Sequence, residues 1–269
     1  MTSRATPPPR APRTPAVLFD LDGTLVDSEP HYYEAGRLTL ERYGVTGFTW
    51  ERHLRFLGIG TRETLEILRR EHGIDAPVDE LVAVKNRHYL ELVRTSAKAF
   101  PGMREFAERL LAAGHPVAVA SGSSRAAIDA VLEATGLGPL LTVRVSAEEV
   151  GRGKPEPDVF LEAARRLGVA PADCVVVEDA APGVEAARRA GMRCIAVPYA
   201  PDGGAPGGVP DGGVPDGCVP GGGVPGGGVP GGGAPGGGTA PFASAGLLFA
   251  GGQREFDAEA AYAWAASGN

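Results

Sequence analysis

Asp20 and Asp22 follow the apolar run Ala16–Phe19 with one leucine between them. A strand alternates its side chains, so residues two apart can point the same way. In an open parallel sheet, ligands collect at the carboxyl ends of the strands, where Asp20 would fall. Two carboxylates at such a place repel unless a cation lies between them, and a buried unpaired one is very costly. A turn or capping acid would account for one aspartate there. It would not account for the second, nor for Glu178 and Asp179, which repeat the design after the run 174–177. Oxygen donors without His or Cys favour magnesium. The chemistry these acids suggest is that of holding a cation and attacking a phosphate.

Two further stretches suit a phosphate. The apolar run 117–120 ends in Ser121-Gly122-Ser123-Ser124 and opens a helix, where backbone N–H groups and the helix dipole favour an anion. Lys154 sits in Gly153-Lys154-Pro155-Glu156-Pro157. Two prolines stiffen that backbone and can aim the ammonium as a point charge on a phosphoryl oxygen.

The elements that must position these groups are legible from periodicity. Residues 16–19, 116–120, 174–177 and 194–197 read as buried strands, with a fifth over 141–145. Helical patterns over 103–113, 124–135, 158–167 and 184–190 lie between them, each followed by a glycine that serves as a stop. This alternation predicts an α/β fold, a parallel sheet covered by helices on both faces. The stretch 26–98 breaks it, with helical patterns over 32–43, 50–56, 62–71 and 78–93 and no strand. It reads as an α-helical cap domain inserted between the first strand and the rest.

The chain has 269 residues, enough for one ordinary domain and a smaller one, and its 43% hydrophobic content supports a sizeable core. A net charge of −7 with interspersed signs argues against a nucleic-acid partner. The three cysteines, Cys174, Cys194 and Cys218, form no metal-binding or disulfide pattern. Residues 1–15 are basic, Pro-rich and without an apolar signal segment, and read as a disordered tail. No apolar run approaches the ~20 residues a membrane span needs, so a cytoplasmic protein is expected; no pattern suggests an obligate partner, so a monomer is expected too. Residues 201–239 are a Gly/Pro/Val repeat, read as a disordered insertion. Residues 240–269 would add a last strand near 245–249 and a helix over 255–266.

Taken together, FDLDGTLVDSEP, ASGSS, GKPEPDVF and VVVEDAAPGVEAARRAG resemble the haloacid dehalogenase superfamily, in the branch of phosphatases and phosphomutases that includes β-phosphoglucomutase. The resemblance implies a Rossmann-like core over 16–25 and 99–200, with the cap over 26–98. It implies Asp20 as nucleophile and Asp22 as acid/base. Mg²⁺ would be held by Asp20, Asp179 and the backbone carbonyl of Asp22, with Glu178 either a further ligand or just behind them. Ser121, Gly122 and Lys154 would hold the phosphoryl oxygens. Cap-side substrate contacts would come from Glu29, His31, Arg62 and Lys85, with Arg125 after the phosphate turn and the loop Gly58-Ile59-Gly60 reaching in. The implied activity is Mg²⁺-dependent hydrolysis of a small phosphorylated metabolite, a sugar phosphate, through an aspartyl-phosphate. The alternatives are a phosphomutase and a non-enzymatic scaffold tethered by the repeat. Two departures count against the mutase: Arg62 stands one position from where its pattern places an arginine, and Ser124-Arg125 replaces a Lys-Asn pair. The Asp-x-Asp arrangement counts against dehalogenation.

Overall fold

The computed structural model describes residues 14–57, 59–200 and 240–267. Strands β1 (Ala16–Phe19), β2 (Val117–Ser121), β3 (Arg144–Ser146), β4 (Cys174–Glu178), β5 (Arg193–Ala196) and β6 (Leu247–Leu248) form one sheet in the order β3-β2-β1-β4-β5-β6. Every pairing is parallel. Phe19 lies opposite Val177 on one side and Val119 on the other, so this register makes β1, β2 and β4 end together.

β1, and β2 and β4 up to their last residues, are apolar because both faces are covered. Val17, Phe19, Val119, Val175 and Val177 face one buried layer with α5 (Pro101–Ala112), α6 (Arg125–Ala134) and α9 (Ala258–Ala266). Their neighbours Ala16, Leu18, Ala118, Ala120, Cys174 and Val176 face the other, with α7 (Asp158–Leu167) and α8 (Ala181–Arg189). Cys174 and Cys194 are buried free thiols within that second layer.

Helices α1 (Glu29–Arg42), α2 (Trp50–Leu54), α3 (Thr61–Glu71) and α4 (Val78–Ser96) come after β1. They bury a cluster of their own, with Leu40, Phe48, Phe56, Leu65, Leu68 and Leu81. The chain leaves the sheet and returns to it at one place. Val26 and Ala99 form an antiparallel bridge, the Asp27 N–H donates to the Lys98 carbonyl at 3.0 Å, and the Phe100 N–H donates to the Leu25 carbonyl at 3.0 Å.

Several boundaries differ from the sequence reading. The run 141–145 is strand only from Arg144. Leu141 is buried, but its N–H turns back to the Leu137 carbonyl, and the Arg144 guanidinium holds the carbonyls of Leu141 and Gly138. Helix α1 starts three residues before the apolar pattern, with Pro30 in its first turn, where a missing N–H costs nothing. Helix α8 likewise begins at Ala181, before Pro182. Helix α9 starts at Ala258, because the Asp257 side chain caps it through the N–H groups of Glu259 and Ala260. Residues 1–13, the repeat at 201–239 with Cys218, and Gly58 lie outside the described residues. Among the described residues no helix is long and apolar enough to cross a membrane.

Candidate active site

The carboxyl ends of β1 and β4 meet as the register requires. Asp20 continues the ladder, its N–H donating to the Val177 carbonyl at 3.0 Å, and its side chain is buried. Glu178 closes β4 and is also buried. The Lys154 ammonium donates to Asp20 Oδ1 and to Glu178 Oε1, both at 2.5 Å, and lies 4.9 Å from the centre of the Phe160 ring. One oxygen from each of Asp20, Glu178 and Asp179 falls within 4.8 Å of the others.

Three carboxylates around one ammonium leave an excess of negative charge. Burial pushes Asp20 up to about 7, with Glu178 and Asp22 adding to the rise and Lys154 opposing it. Burial, then Glu178 and Asp20, push Asp179 well above the carboxylate range. Burial works against the Lys154 charge, but Asp20 and Glu178 more than offset it and hold its pKa above its ordinary value. An all-oxygen donor set in so negative a space fits a hard divalent cation such as Mg²⁺.

Glycines set the close approaches. Gly23 has φ +78°, and a Cβ there would lie 2.4 Å from Asp179 Oδ2. The next residue, Thr24, donates its hydroxyl to Asp179 Oδ1 at 3.0 Å. Gly183, in the first turn of α8, sits under Glu178: a Cβ there would lie 1.9 Å from its Cδ and Oε1. Glu178 has no easy retreat, because Oε1 holds Lys154 and Oε2 accepts the N–H groups of Asp179 and Ala180 at 3.1 Å. Gly183→Ala is therefore expected to destabilise the fold by about 2 kcal/mol, the scale of core overpacking, while displacing Glu178 from Lys154. Urea unfolding measures the first effect; an unchanged midpoint would show that Glu178 relaxes freely.

Asp22 faces a different set. Its Oδ1 accepts from the Tyr89 hydroxyl at 3.0 Å, and its Oδ2 accepts from Ser123 at 2.6 Å and Ser121 at 3.3 Å. Because the Ser123 hydrogen goes to the carboxylate, Tyr32 is the donor in its 2.8 Å bond to Ser123 Oγ. Tyr32 and Tyr89 are stacked, 4.4 Å between ring centres. Burial and the Asp22 charge raise both phenols well above their ordinary value, so they stay protonated donors. Gly122 lies between the two serines; a Cβ there would meet nothing within 4 Å.

The proposed cap-side residues divide. Lys85 is buried over the Tyr32 ring at 4.9 Å, with Thr61 Oγ1 at 3.4 Å. Burial pushes its ammonium down to about 8, against Glu29 and Asp22, which favour the charge. Glu29 Oε2 accepts from His53 Nε2 at 2.8 Å. His31 is turned to the crossing between helical layer and sheet: its Nε2 donates to Ser96 Oγ at 2.9 Å, since the Ser96 hydrogen goes to the Leu92 carbonyl. Burial lowers its pKa. Arg62 and Arg125 are not brought to the site. Arg62 is exposed and ion-paired with Asp79. Arg125 is exposed at the start of α6, paired with Asp129 and Glu149.

Thr24, Tyr32, His53, Tyr89 and Ser123 do not stand out from the sequence as site residues. Ser123 lies in the turn that does. Tyr89 stands four residues after Lys85 and Tyr32 three after Glu29, spacings that place each pair on one helix face.

A doubly covered parallel sheet with buried acids and a lysine at its carboxyl edge defines an enzyme of the Rossmann-like α/β class. The model of the haloacid dehalogenase-like hydrolases matches residues 14–191, and the chain belongs to that family. It is 37% identical over 183 residues to the phosphorylated carbohydrates phosphatase of Thermotoga maritima, covering 67% of this chain and 83% of that one. It is 37% identical over 191 residues to the bifunctional riboflavin kinase/FMN phosphatase of Arabidopsis thaliana, covering 69% of this chain but only 48% of that longer protein. A crystal structure of a CbbY variant from Rhodobacter sphaeroides, in complex with xylulose-(1,5)bisphosphate, superposes with a TM-score of 0.63 at 28% identity, covering 69% of this chain and 87% of that one.

Proposed function

We propose that this chain is a Mg²⁺-dependent phosphatase that hydrolyses a small sugar phosphate through an aspartyl-phosphate on Asp20, beneath a cap formed by residues 26–98. One observation carries the reading: Asp20, Glu178, Asp179 and Lys154 converge at the strand ends while Asp22, two residues on, is held separately by Ser121, Ser123 and Tyr89. Two neighbouring carboxylates in such different surroundings suit two different roles.

The buried Asp20 carboxylate attacks phosphorus, a known role for this group. Asp22, entering this step protonated, gives its proton to the departing ester oxygen, which leaves as an alcohol. The Lys154 ammonium and the Ser121 hydroxyl hold phosphoryl oxygens where charge builds up. Asp22 then takes a proton from water, the hydroxide attacks the aspartyl-phosphate, and phosphate leaves with Asp20 restored. Mg²⁺, when held by Asp20, Asp179, Glu178 and the Asp22 carbonyl, supplies charge neutralisation for the phosphoryl group. The polar wall of Glu29, His53 and Lys85 supports a hydroxylated leaving group, and the sugar-phosphate relatives point the same way.

Phosphate release from a panel of sugar phosphates, nucleotides and phosphoglycolate, with Mg²⁺ or with EDTA, tests the reading. β-Glucose 1-phosphate with glucose 1,6-bisphosphate serves as a mutase control. Mg²⁺-dependent release from at least one sugar phosphate is expected. Isomerisation without net release would overturn the phosphatase in favour of a mutase.

A further inference from the structure

The loop that follows β1 is closed largely by its own backbone. The Gly23 N–H donates to the Val26 carbonyl at 2.9 Å, and the N–H groups of Leu25 and Val26 both donate to the Leu21 carbonyl at 3.0 Å. The Leu25 carbonyl accepts from the Phe100 N–H, and the Val26 carbonyl also from the Ser28 N–H. The Thr24 carbonyl takes no part in this. Thr24 is fully buried, and among the described residues no backbone N–H reaches its carbonyl. Its donor is a side chain 229 residues away, Gln253 Nε2 at 3.0 Å. A carbonyl only accepts, so the nitrogen of the Gln253 amide faces it.

Gln253 stands on a fixed turn, Gly252–Arg254. Gly252 has φ +65°, its N–H donates to the Phe249 carbonyl at 2.8 Å, and a Cβ on it would lie 2.4 Å from the Pro198 carbonyl oxygen. The Phe249 N–H donates to the Ala196 carbonyl at 2.9 Å, which ties the segment to β5. The Phe256 ring packs on Phe249 and on Phe106 of α5, with ring centres 5.1 and 5.8 Å apart. The chain leaving β5 holds the other end of the same loop, where the Tyr199 hydroxyl donates to Asp27 Oδ1 at 3.2 Å.

What the loop carries gives this support a consequence. The Thr24 hydroxyl donates to Asp179 Oδ1 at 3.0 Å, and Asp179 is one of the three acids gathered at the strand ends. A chain of two hydrogen bonds therefore runs from Gln253, through Thr24, to Asp179. The aim of the Asp179 carboxylate depends on where the Thr24 backbone sits.

We propose that Gln253 is a positioning residue for the cation site: its amide fixes the Thr24 backbone, and the Thr24 hydroxyl aims Asp179 at the Mg²⁺ it would hold. The role rests on the Mg²⁺ reading above and extends it to a segment outside both the strand ends and residues 26–98. Groups behind a metal's ligands commonly change its affinity by about 10- to 100-fold.

Calorimetric titration of the full chain with MgCl₂ tests the role, with melting in EDTA reporting the fold separately. Gln253→Glu keeps the shape and removes the donor, and is expected to weaken Mg²⁺ binding by about tenfold. Gln253→Lys keeps an N–H donor and is expected to bind Mg²⁺ close to the wild-type Kd. Charge alone gives the reverse order, since an added carboxylate favours a nearby cation and an added ammonium opposes it. A Gln253 that only supports the fold would lower melting in EDTA and leave the Mg²⁺ Kd where it was. That result overturns the role and leaves the phosphatase standing, as does a Gln253→Lys that binds as weakly as Gln253→Glu. A wild type that takes up no Mg²⁺ overturns the cation site as well.

Discussion

With asparagine at position 20, turnover of every ester falls by at least about 10⁴-fold, the scale on which removal of a covalent nucleophile is read. Asparagine has the size and shape of aspartate, so the strand end and its apolar surroundings have no reason to move. What it lacks is the anionic oxygen that would attack phosphorus. Lys154 keeps its second carboxylate, Glu178, and stays anchored. The loss should therefore fall on kcat, with the melting temperature close to that of the wild type. Phosphate release and a hydroxylamine trap for the acyl phosphate together measure it. Activity above about one per cent in Asp20→Asn would show that Asp20 is not the nucleophile.

Removal of divalent cation is the second large effect. EDTA is expected to abolish turnover and Mg²⁺ to restore it, but the sharper readout is stability. Asp20, at about 7, and Asp179, well above the carboxylate range, both hold protons more tightly folded than unfolded. Such a group contributes stability that is full below the unfolded pKa of about 4 and is lost as pH rises through the folded value. The cation-free protein therefore weakens from about pH 4 through pH 7 and beyond, as the cluster is forced to ionise. A cation bound by the ionised cluster reverses this, stabilising by about 2.7 kcal/mol at 100 times its Kd. Melting curves at pH 5.5 and 8 with EDTA or with Mg²⁺ should show a larger Mg²⁺ gain at pH 8. An equal gain, or none, would remove Asp20, Glu178 and Asp179 as its ligands.

The acids and the lysine are legible in the sequence because each stands where an apolar strand stops or a proline-stiffened turn begins. Local patterning carries that information. The orientation of helix-borne side chains depends on what each helix packs against, and the sequence carries this less directly. Arg62 reads as a cap contact by its place near a glycine loop, but the face of α3 that buries Leu65 and Leu68 turns it to solvent beside Asp79. Tyr32 and Tyr89 carry no local signal of a role, and only the meeting of α1 with α4 puts their hydroxyls on Ser123 and Asp22. The pairing of Glu29 with His53 spans 24 residues and two helices, beyond any local period. Leu141 misleads for the opposite reason: its apolarity reports burial, and burial alone does not make a strand.

The crossing at Val26 and Ala99 has a consequence for how such a protein can be rebuilt. The chain departs and rejoins through two backbone segments already bonded to each other, so the backbone of 27–98 joins the sheet at one place, while Tyr32 and Tyr89 meet the sheet side again at Ser123 and Asp22. The sheet would need only a tight turn to close without it, and its register owes nothing to the length of what is inserted there. A different helical module spliced at this junction would inherit the pairing of Lys154 with Asp20 and Glu178, all outside 27–98, but would have to replace the Tyr89 donor to Asp22. Under the proposed function, the helical side is thus the exchangeable one and the strand ends are not.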